Sequence, residues 1–279
     1  MDRIQRALDL AKLQRSQDTF ERGQDTFAEE DPRIERAAFT REFALSVVES
    51  RGVFSLDRNK LEQYRVISAD EDQPAGRAYR MLRTQILQTS RAHNLTTLGI
   101  VSAVNGEGKT LTAINLALGL AAEPNQTVIL ADLDLRRPAV AHTLGLRPER
   151  GLEAWFSGDE PTKNVCYGIQ GVERLYVLPT LSPVPGSSEI LAGLGTRRLL
   201  NDLKGRDRDP GRLILVDLPP VLLSDDALTI APLLDAVVLV ASERRTRRED
   251  IVRVMELLKN TRVLGTVLNC STESEQRAY

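Results

Sequence analysis

The sequence predicts a doubly wound α/β domain with a mostly parallel sheet, preceded by an arm that is part helix and part flexible chain. Three observations predict it. From about residue 70 onward, strand-like apolar runs alternate with helix-like runs, the pattern of successive βαβ units. The strand-like runs are rich in Val, Ile and Leu rather than alternating with polar residues, as strands covered on both faces are. Before residue 70 the composition is polar and patchy, and no such run occurs. The expected division is 1–70 for the arm and 71–279 for the domain.

In the arm, Ile4, Leu8 and Ala11 recur at helical spacing among Arg3, Arg6, Lys12 and Arg15. This predicts a short amphipathic helix over residues 1–17. Such a helix either rests on its own domain or docks to a partner; its apolar face is small for membrane insertion. Residues 16–36 read as a flexible linker. In the domain, a helix over 75–91 places Tyr79, Leu82, Ile86 and Leu87 on one face. A strand over 97–103, a Gly-rich turn and a helix over 109–122 follow. Further strands are expected at 127–132, 175–179, 213–217, 236–241 and 263–268, with helices that include 188–203 and 248–259 between them. Ligands of such a sheet sit beyond the carboxyl ends of its strands.

The bulk properties exclude several classes. With 42% hydrophobic residues in 279, the chain has ample material for a core. A net charge of −2 gives no global attraction to nucleic acid or anionic lipid. Nor do aromatics interleave with basic residues as single-strand binding requires. Cys166 and Cys270 cannot form a disulfide framework; they point to a reducing compartment and read as small buried hydrophobes. The longest apolar run, 233–241, contains Asp235 and falls short of the ~20 residues of a spanning helix. The first residues lack the apolar centre of a secretory signal. A cytoplasmic protein with no direct membrane span and no nucleic-acid partner is expected. His93 and His142 stand alone, without metal-ligand spacing. The run 243–250 mixes both charge signs and reads as a solvated helix start.

Three segments carry chemistry. The turn Ala103-Val104-Asn105-Gly106-Glu107-Gly108-Lys109-Thr110 fits the form A/G-x-x-x-x-G-K-S/T between a buried strand and an apolar helix, which is a P-loop in its confirming context. Gly106 and Gly108 let the backbone curl so that its N–H groups face phosphate oxygens. The helix start adds its positive dipole end. The expected nucleotide contacts are Asn105, Gly106, Glu107, Gly108, Lys109, Thr110 and Leu111. Lys109 is expected to reach the β- and γ-phosphates of ATP, and the Thr110 hydroxyl to bind Mg²⁺. The second segment, 128–138, ends a strand at Asp132, with Asp134 two residues on and Arg136 and Arg137 following. Carboxylates at that strand tip supply oxygen ligands beside the phosphates. The third, 213–226, carries four apolar residues into Asp217, as in a Walker B strand supporting the Mg²⁺ shell. Pro219 and Pro220 then stop the strand, and Asp225 and Asp226 are expected to cap a following helix.

Together these residues resemble the bacterial tyrosine kinase (BY-kinase) family, P-loop autokinases of exopolysaccharide synthesis and export. The resemblance runs from about Tyr79 to the C-terminus. It rests on Gly-Glu-Gly-Lys-Thr, Asp-Leu-Asp-Leu-Arg-Arg-Pro, Asp-Leu-Pro-Pro and Pro-Val-Pro-Gly-Ser-Ser-Glu-Ile-Leu. The opening helix and the Ala-Tyr-Arg-Met-Leu-Arg-Thr-Gln-Ile-Leu run are most similar to the exosortase-associated branch. The resemblance implies a P-loop NTPase fold and catalytic roles for Lys109, Asp132, Asp134 and Asp217. Asp132 would lie near the metal and accept the tyrosine proton, Asp134 would tune the metal site, and Asp217 would hold the metal through water. Asn269 would contact adenine. It also implies a partner, the cytosolic part of a membrane polysaccharide co-polymerase or chain-length determinant, which would recruit the protein to the inner face of the membrane.

The chain departs from the family at several positions. Asn105 stands where proline is common. Arg77 stands where many members begin a Glu-x-x-Arg-x-x-Arg oligomerisation motif that Arg80 and Arg83 continue, so homo-oligomerisation stays open. Separately from this family, Val104 stands where septum-positioning and plasmid-partition ATPases carry a lysine that reaches across a dimer, which argues against a nucleotide-sandwich dimer of that type. The tyrosine-rich tail is reduced to Tyr279, the one tail candidate for the phosphoacceptor. Two functions follow: an ATP-dependent tyrosine autokinase, or a P-loop ATPase scaffold of a polysaccharide export complex that phosphorylates nothing.

Overall fold

The computed structural model describes residues 52–67, 74–158, 160–204 and 211–271. The expected opening helix, the linker and Tyr279 lie outside the described residues. By packing, the chain divides into two units, 1–39 and 40–279, and all described residues belong to the second.

In chain order the elements are β1 (Val53–Phe54), α1 (Arg58–Tyr64), α2 (Pro74–His93), β2 (Thr97–Ser102), α3 (Lys109–Ala121), β3 (Thr127–Asp132), α4 (Val140–Leu144) and α5 (Leu152–Phe156). There follow a 3₁₀ turn (Thr162–Asn164), β4 (Tyr167–Ile169), β5 (Val172–Leu178), α6 (Ser187–Ala192), α7 (Leu194–Lys204) and β6 (Arg212–Asp217). The last are α8 (Asp226–Ile230), β7 (Ala236–Ser242), α9 (Arg248–Leu257) and β8 (Val263–Asn269). Among the described residues eight strands form one sheet in the order β1-β4-β5-β3-β6-β2-β7-β8. All neighbours are parallel except β4 and β5, which are joined tightly through Gly171 at φ 79°.

The doubly wound expectation rests on strands buried on both faces, and the packing shows why. Successive residues of β3 go to opposite sides: Ile129 and Ala131 join one apolar cluster, Val128 and Leu130 the other. β6 divides in the same way, with Ile214 and Val216 on one side and Leu213 and Leu215 on the other. The first cluster is closed by α6 and α7 through Leu191, Leu199 and Leu203, the second by α2 and α3 through Ile86, Ile114 and Leu120.

Two differences from the expected elements have plain causes. Residues 52–67, placed in the arm by composition, supply β1, which pairs with β4, and α1, which Asp57 caps by accepting from the Lys60 amide at 3.3 Å. Two-residue and three-residue strands are too short for periodicity to register. The single helix expected over 188–203 is two helices, since Gly193 between them is extended (φ −70°, ψ 167°). Cys166 is buried as expected, with burial pushing its thiol up to about 12, but Cys270 is exposed. Cys270 follows β8, which among the described residues is an edge strand, where no described element covers it.

Candidate nucleotide site

The loop after β2 turns at two glycines with left-handed backbone, Gly106 at φ 78° and Gly108 at φ 91°. At Gly108 a side chain is also excluded by space, because a Cβ there would come within 2.0 Å of Asn269 Nδ2. That amide nitrogen donates to the Glu107 carbonyl at 2.9 Å. The end of β8 therefore fastens the loop from behind. Glu107 was expected among the nucleotide contacts; its side chain is fully buried and turned inward. One carboxylate oxygen accepts from the Val104 amide at 2.9 Å and the other from the Thr246 hydroxyl, which itself accepts from the Ser242 amide at 2.7 Å. Glu107 thus braces the loop against the turn after β7, and only its backbone is left to face a ligand. Leu111 packs against the apolar cluster below α3, whereas Asn105 and Gly106 remain open to solvent.

Lys109, the first residue of α3, lies among carboxylates from two strand tips. Its Nζ is 2.7 Å from Asp134 Oδ2 and 3.3 Å from Asp217 Oδ1. Burial alone would pull the ammonium pKa down; the charges of Asp217 and Asp134 reverse that and raise it above its ordinary value, so Lys109 is cationic at any working pH. Thr110 donates its hydroxyl to Asp217 Oδ2 at 2.6 Å.

Asp132 and Asp217 face one another across paired β3 and β6. Asp132 Oδ2 accepts from the amides of Ala139 and Val140, each at 3.0 Å, and Oδ1 from the Asp134 amide at 3.3 Å. Complete burial and then the charge of Asp217 push the Asp132 carboxyl well above the usual carboxylate range. Burial also raises Asp217, against the pull of Lys109 and Thr110. The structure thus brings Lys109, Thr110, Asp132, Asp134, Asp217 and, through the loop backbone, Asn269 to one place.

Sequence reasoning missed a second assembly beside these tips. Asp225 and Asp226, expected as helix caps, hold Arg136. Its Nε donates to Asp226 Oδ2 at 3.0 Å, and a terminal nitrogen reaches Asp226 Oδ1 at 3.1 Å, Asp225 Oδ1 at 3.3 Å and the Ser188 hydroxyl at 2.9 Å. Ser187 adds a hydroxyl to Asp226 Oδ2 at 2.8 Å. Although burial works against it, these bonds lower the Asp226 pKa. The partners come from segments about 40 to 90 residues apart, and nothing local announces the pairing. This cluster locks the loop after β3 to the loop after β6.

The cradle fits a nucleoside phosphate: two positive-φ glycines leave loop amides open, a helix N-terminus points into it, and a buried ammonium lies beside it. Among the described residues, no group of three or more His, Cys, Asp or Glu side chains is arranged to hold a metal alone. The Thr110 hydroxyl and the Asp217 carboxylate, 2.6 Å apart, are oxygen donors of the kind Mg²⁺ takes together with waters and substrate phosphates.

Comparison with known proteins agrees with this geometry. The profile of the ParA family, described as NUBPL iron-transfer P-loop NTPase, matches residues 95–277. The tyrosine-protein kinase YwqD of Bacillus subtilis is 28% identical over 203 residues, 72% of this chain and 83% of that protein. The succinoglycan biosynthesis transport protein ExoP of Rhizobium meliloti is 28% identical over 65% of this chain, but only 23% of ExoP is covered. Among solved structures, the VpsO kinase domain superposes with a TM-score of 0.61 at 28% identity, covering 68% of this chain and 92% of that domain.

Proposed function

The chain belongs to the ParA family of P-loop NTPases, and from that premise we propose that it is a protein-tyrosine autokinase of exopolysaccharide synthesis or export. The single observation that carries the reading is the buried Lys109 ammonium, shared between Asp134 and Asp217 at the helix end of a glycine loop. Its similarity to proteins named tyrosine kinases supports the same reaction class.

The residues divide the work as follows. Loop amides around Gly106 and Gly108, together with Lys109, bind and neutralise the phosphate chain of ATP. Thr110 and Asp217 would hold magnesium, which when bound would neutralise charge on the transferring phosphoryl group. Asn269 has one end of its amide tied to the loop, and its oxygen is assigned to the adenine amino group. In the transfer, the tyrosine oxygen bonds to the γ-phosphorus, the bridge to ADP breaks, and the phenolic proton goes to Asp132. Burial and the charge of Asp217 favour the protonated form of Asp132, and the amides at 134, 139 and 140 cover both its oxygens, so accepting the proton requires that turn to open and the carboxyl to ionise first.

We assign Tyr279 as the acceptor, and the placing of the other tyrosines supports this. Tyr167 and Tyr176 are buried. Tyr64 has its hydroxyl on His142 at 2.8 Å, and the Tyr79 hydroxyl points at Thr112 in α3, 3.5 Å away. We assign the partner as the cytosolic part of a membrane polysaccharide co-polymerase that recruits the protein to the inner membrane face; the naming of ExoP as a transport protein supports it. Among the described residues no helix is long and apolar enough to cross a membrane. Resemblance of the opening helix favours the exosortase-associated branch.

Incubation of the purified chain with MgATP is expected to yield phosphotyrosine, which Lys109→Ala and Tyr279→Phe each abolish, the latter with ATP binding intact. One observation favours a second reading: a single candidate acceptor is sparse for an autokinase. If wild type yields no phosphotyrosine, with or without the partner's tail, yet binds and hydrolyses ATP, it is a nucleotide-dependent scaffold.

A further inference from the structure

The phosphate site is short of positive charge. Asp132, Asp134 and Asp217 gather around one ammonium, Lys109, and a phosphate chain adds further negative charge. Arg136 cannot supply the deficit because Asp225 and Asp226 already hold it. The turn after β7 brings another cation to the loop.

There, Arg245 lies over Gly106. A Cβ built on Gly106 would stand 2.7 Å from one terminal nitrogen of the Arg245 guanidinium and 3.2 Å from its central carbon. Gly106 is exposed. Among the described residues no carboxylate forms an ion pair with Arg245. Its backbone is nonetheless held: the Arg245 amide donates to the Ser242 carbonyl at 3.0 Å. The next residue, Thr246, is bonded to the Glu107 carboxylate. A fixed turn thus holds against the phosphate-binding loop a guanidinium that no described carboxylate pairs with. A guanidinium presents several donors in a planar fork suited to phosphate oxygens.

We propose that Arg245 is a phosphate-binding residue of the nucleotide site, a second cation that joins Lys109 on the phosphate chain. On this view Gly106 is glycine for two reasons, its positive φ and the room the guanidinium occupies. The inference rests on the nucleotide reading of the site and deepens it by naming a determinant outside the loop motif.

The test is calorimetric titration of the full chain with two probes, MgATP and magnesium tripolyphosphate, the second lacking base and sugar. Arg245→Ala is expected to weaken both by about tenfold, as loss of one charged hydrogen bond does. Arg245→Lys should recover part of the loss, and Arg244→Ala, which removes an equal charge from the adjacent exposed position, should stay within about twofold because exposed charges are screened. Affinity should also fall less steeply with added salt in Arg245→Ala than in wild type. Arg245→Ala binding both probes like wild type, while Lys109→Ala binds neither, overturns this inference alone. A loss confined to MgATP overturns the phosphate assignment in favour of base or sugar contact. No binding in wild type overturns the nucleotide reading and the inference together. Equal thermal midpoints of wild type and Arg245→Ala would confirm that any loss arises at the ligand.

Discussion

Asp132 and Asp217 end neighbouring strands at the same level, both wholly buried, yet they are fastened to different things. Asp132 is bound by the backbone amides of its own following turn, at 134, 139 and 140. Asp217 is bound by the side chains of the phosphate loop, Thr110 and Lys109. Equivalent positions in two similar strands therefore serve separate ends: one carboxylate shapes the turn that carries Asp134 and Arg136, the other couples the sheet to the loop that grips phosphate. A strand pattern reveals the position of an aspartate; its partners determine what it does.

The largest expected effect tests the shared element of both arrangements. Lys109→Ala removes the counter-charge of two buried carboxylates and should lower MgATP affinity at least about a hundredfold, as loss of a charged group facing unpaired buried charge does. Its denaturation midpoint should also fall. Retained nucleotide affinity would break the comparison at its root.

Next come the two aspartates themselves. Asp217→Asn should lower phosphotransfer, or nucleotide hydrolysis, by about a hundredfold or more with modest change in stability, since it acts on the charge that holds Thr110 and the metal. Asp132→Asn should lower phosphotransfer too, because it removes the proton acceptor, but unlike Asp217→Asn it should also cost about 1–3 kcal/mol of stability through mismatched backbone donors, as read in urea melts. Similar profiles for the two variants would show that they do not differ in role.

The pH dependence sharpens the contrast. A carboxyl whose pKa is raised on folding favours the folded state most below its unfolded value, and that contribution fades as pH climbs through the raised value. For Asp132 the loss begins above its ordinary value of 3.8. Asp132→Asn, which cannot ionise, should therefore gain stability relative to wild type as pH rises above about 4. A pH-independent difference would contradict the burial argument.

The smallest effect concerns the brace. Thr246→Val keeps the shape but removes the hydroxyl that meets Glu107, and should weaken MgATP binding by about threefold to tenfold through a looser loop. Unchanged binding would mean that Glu107 and Asn269 hold the loop unaided.

What the sequence disclosed and what it hid divide along the same line. β3 and β6 were legible almost to the residue because Val, Ile and Leu runs buried on both faces have no competing reading. The loop from Gly106 to Thr110 was legible because its spacing carries its own mechanism. Residues whose roles depend on distant partners were not. Glu107 reads as a phosphate-loop residue until Thr246, 139 positions away, is placed beside it. Asp225 and Asp226 read as caps until Arg136 arrives from about 90 positions upstream. β1 and β4 are too short to show a period, which is why residues 52–67 looked like arm.

The rim of the sheet and the loop are a single mechanical unit. Among the described residues β8 has one neighbour, β7, and its last residue, Asn269, reaches across to the Glu107 carbonyl in the space that Gly108 leaves empty. Fraying of the terminal strand releases that tether, and the loop loses its rear support at the same moment. Conversely, a phosphate chain that stiffens the loop damps the fraying. Amide protons near Asn269 should therefore exchange more slowly once nucleotide is bound, although they lie on the far side of the loop from the phosphates.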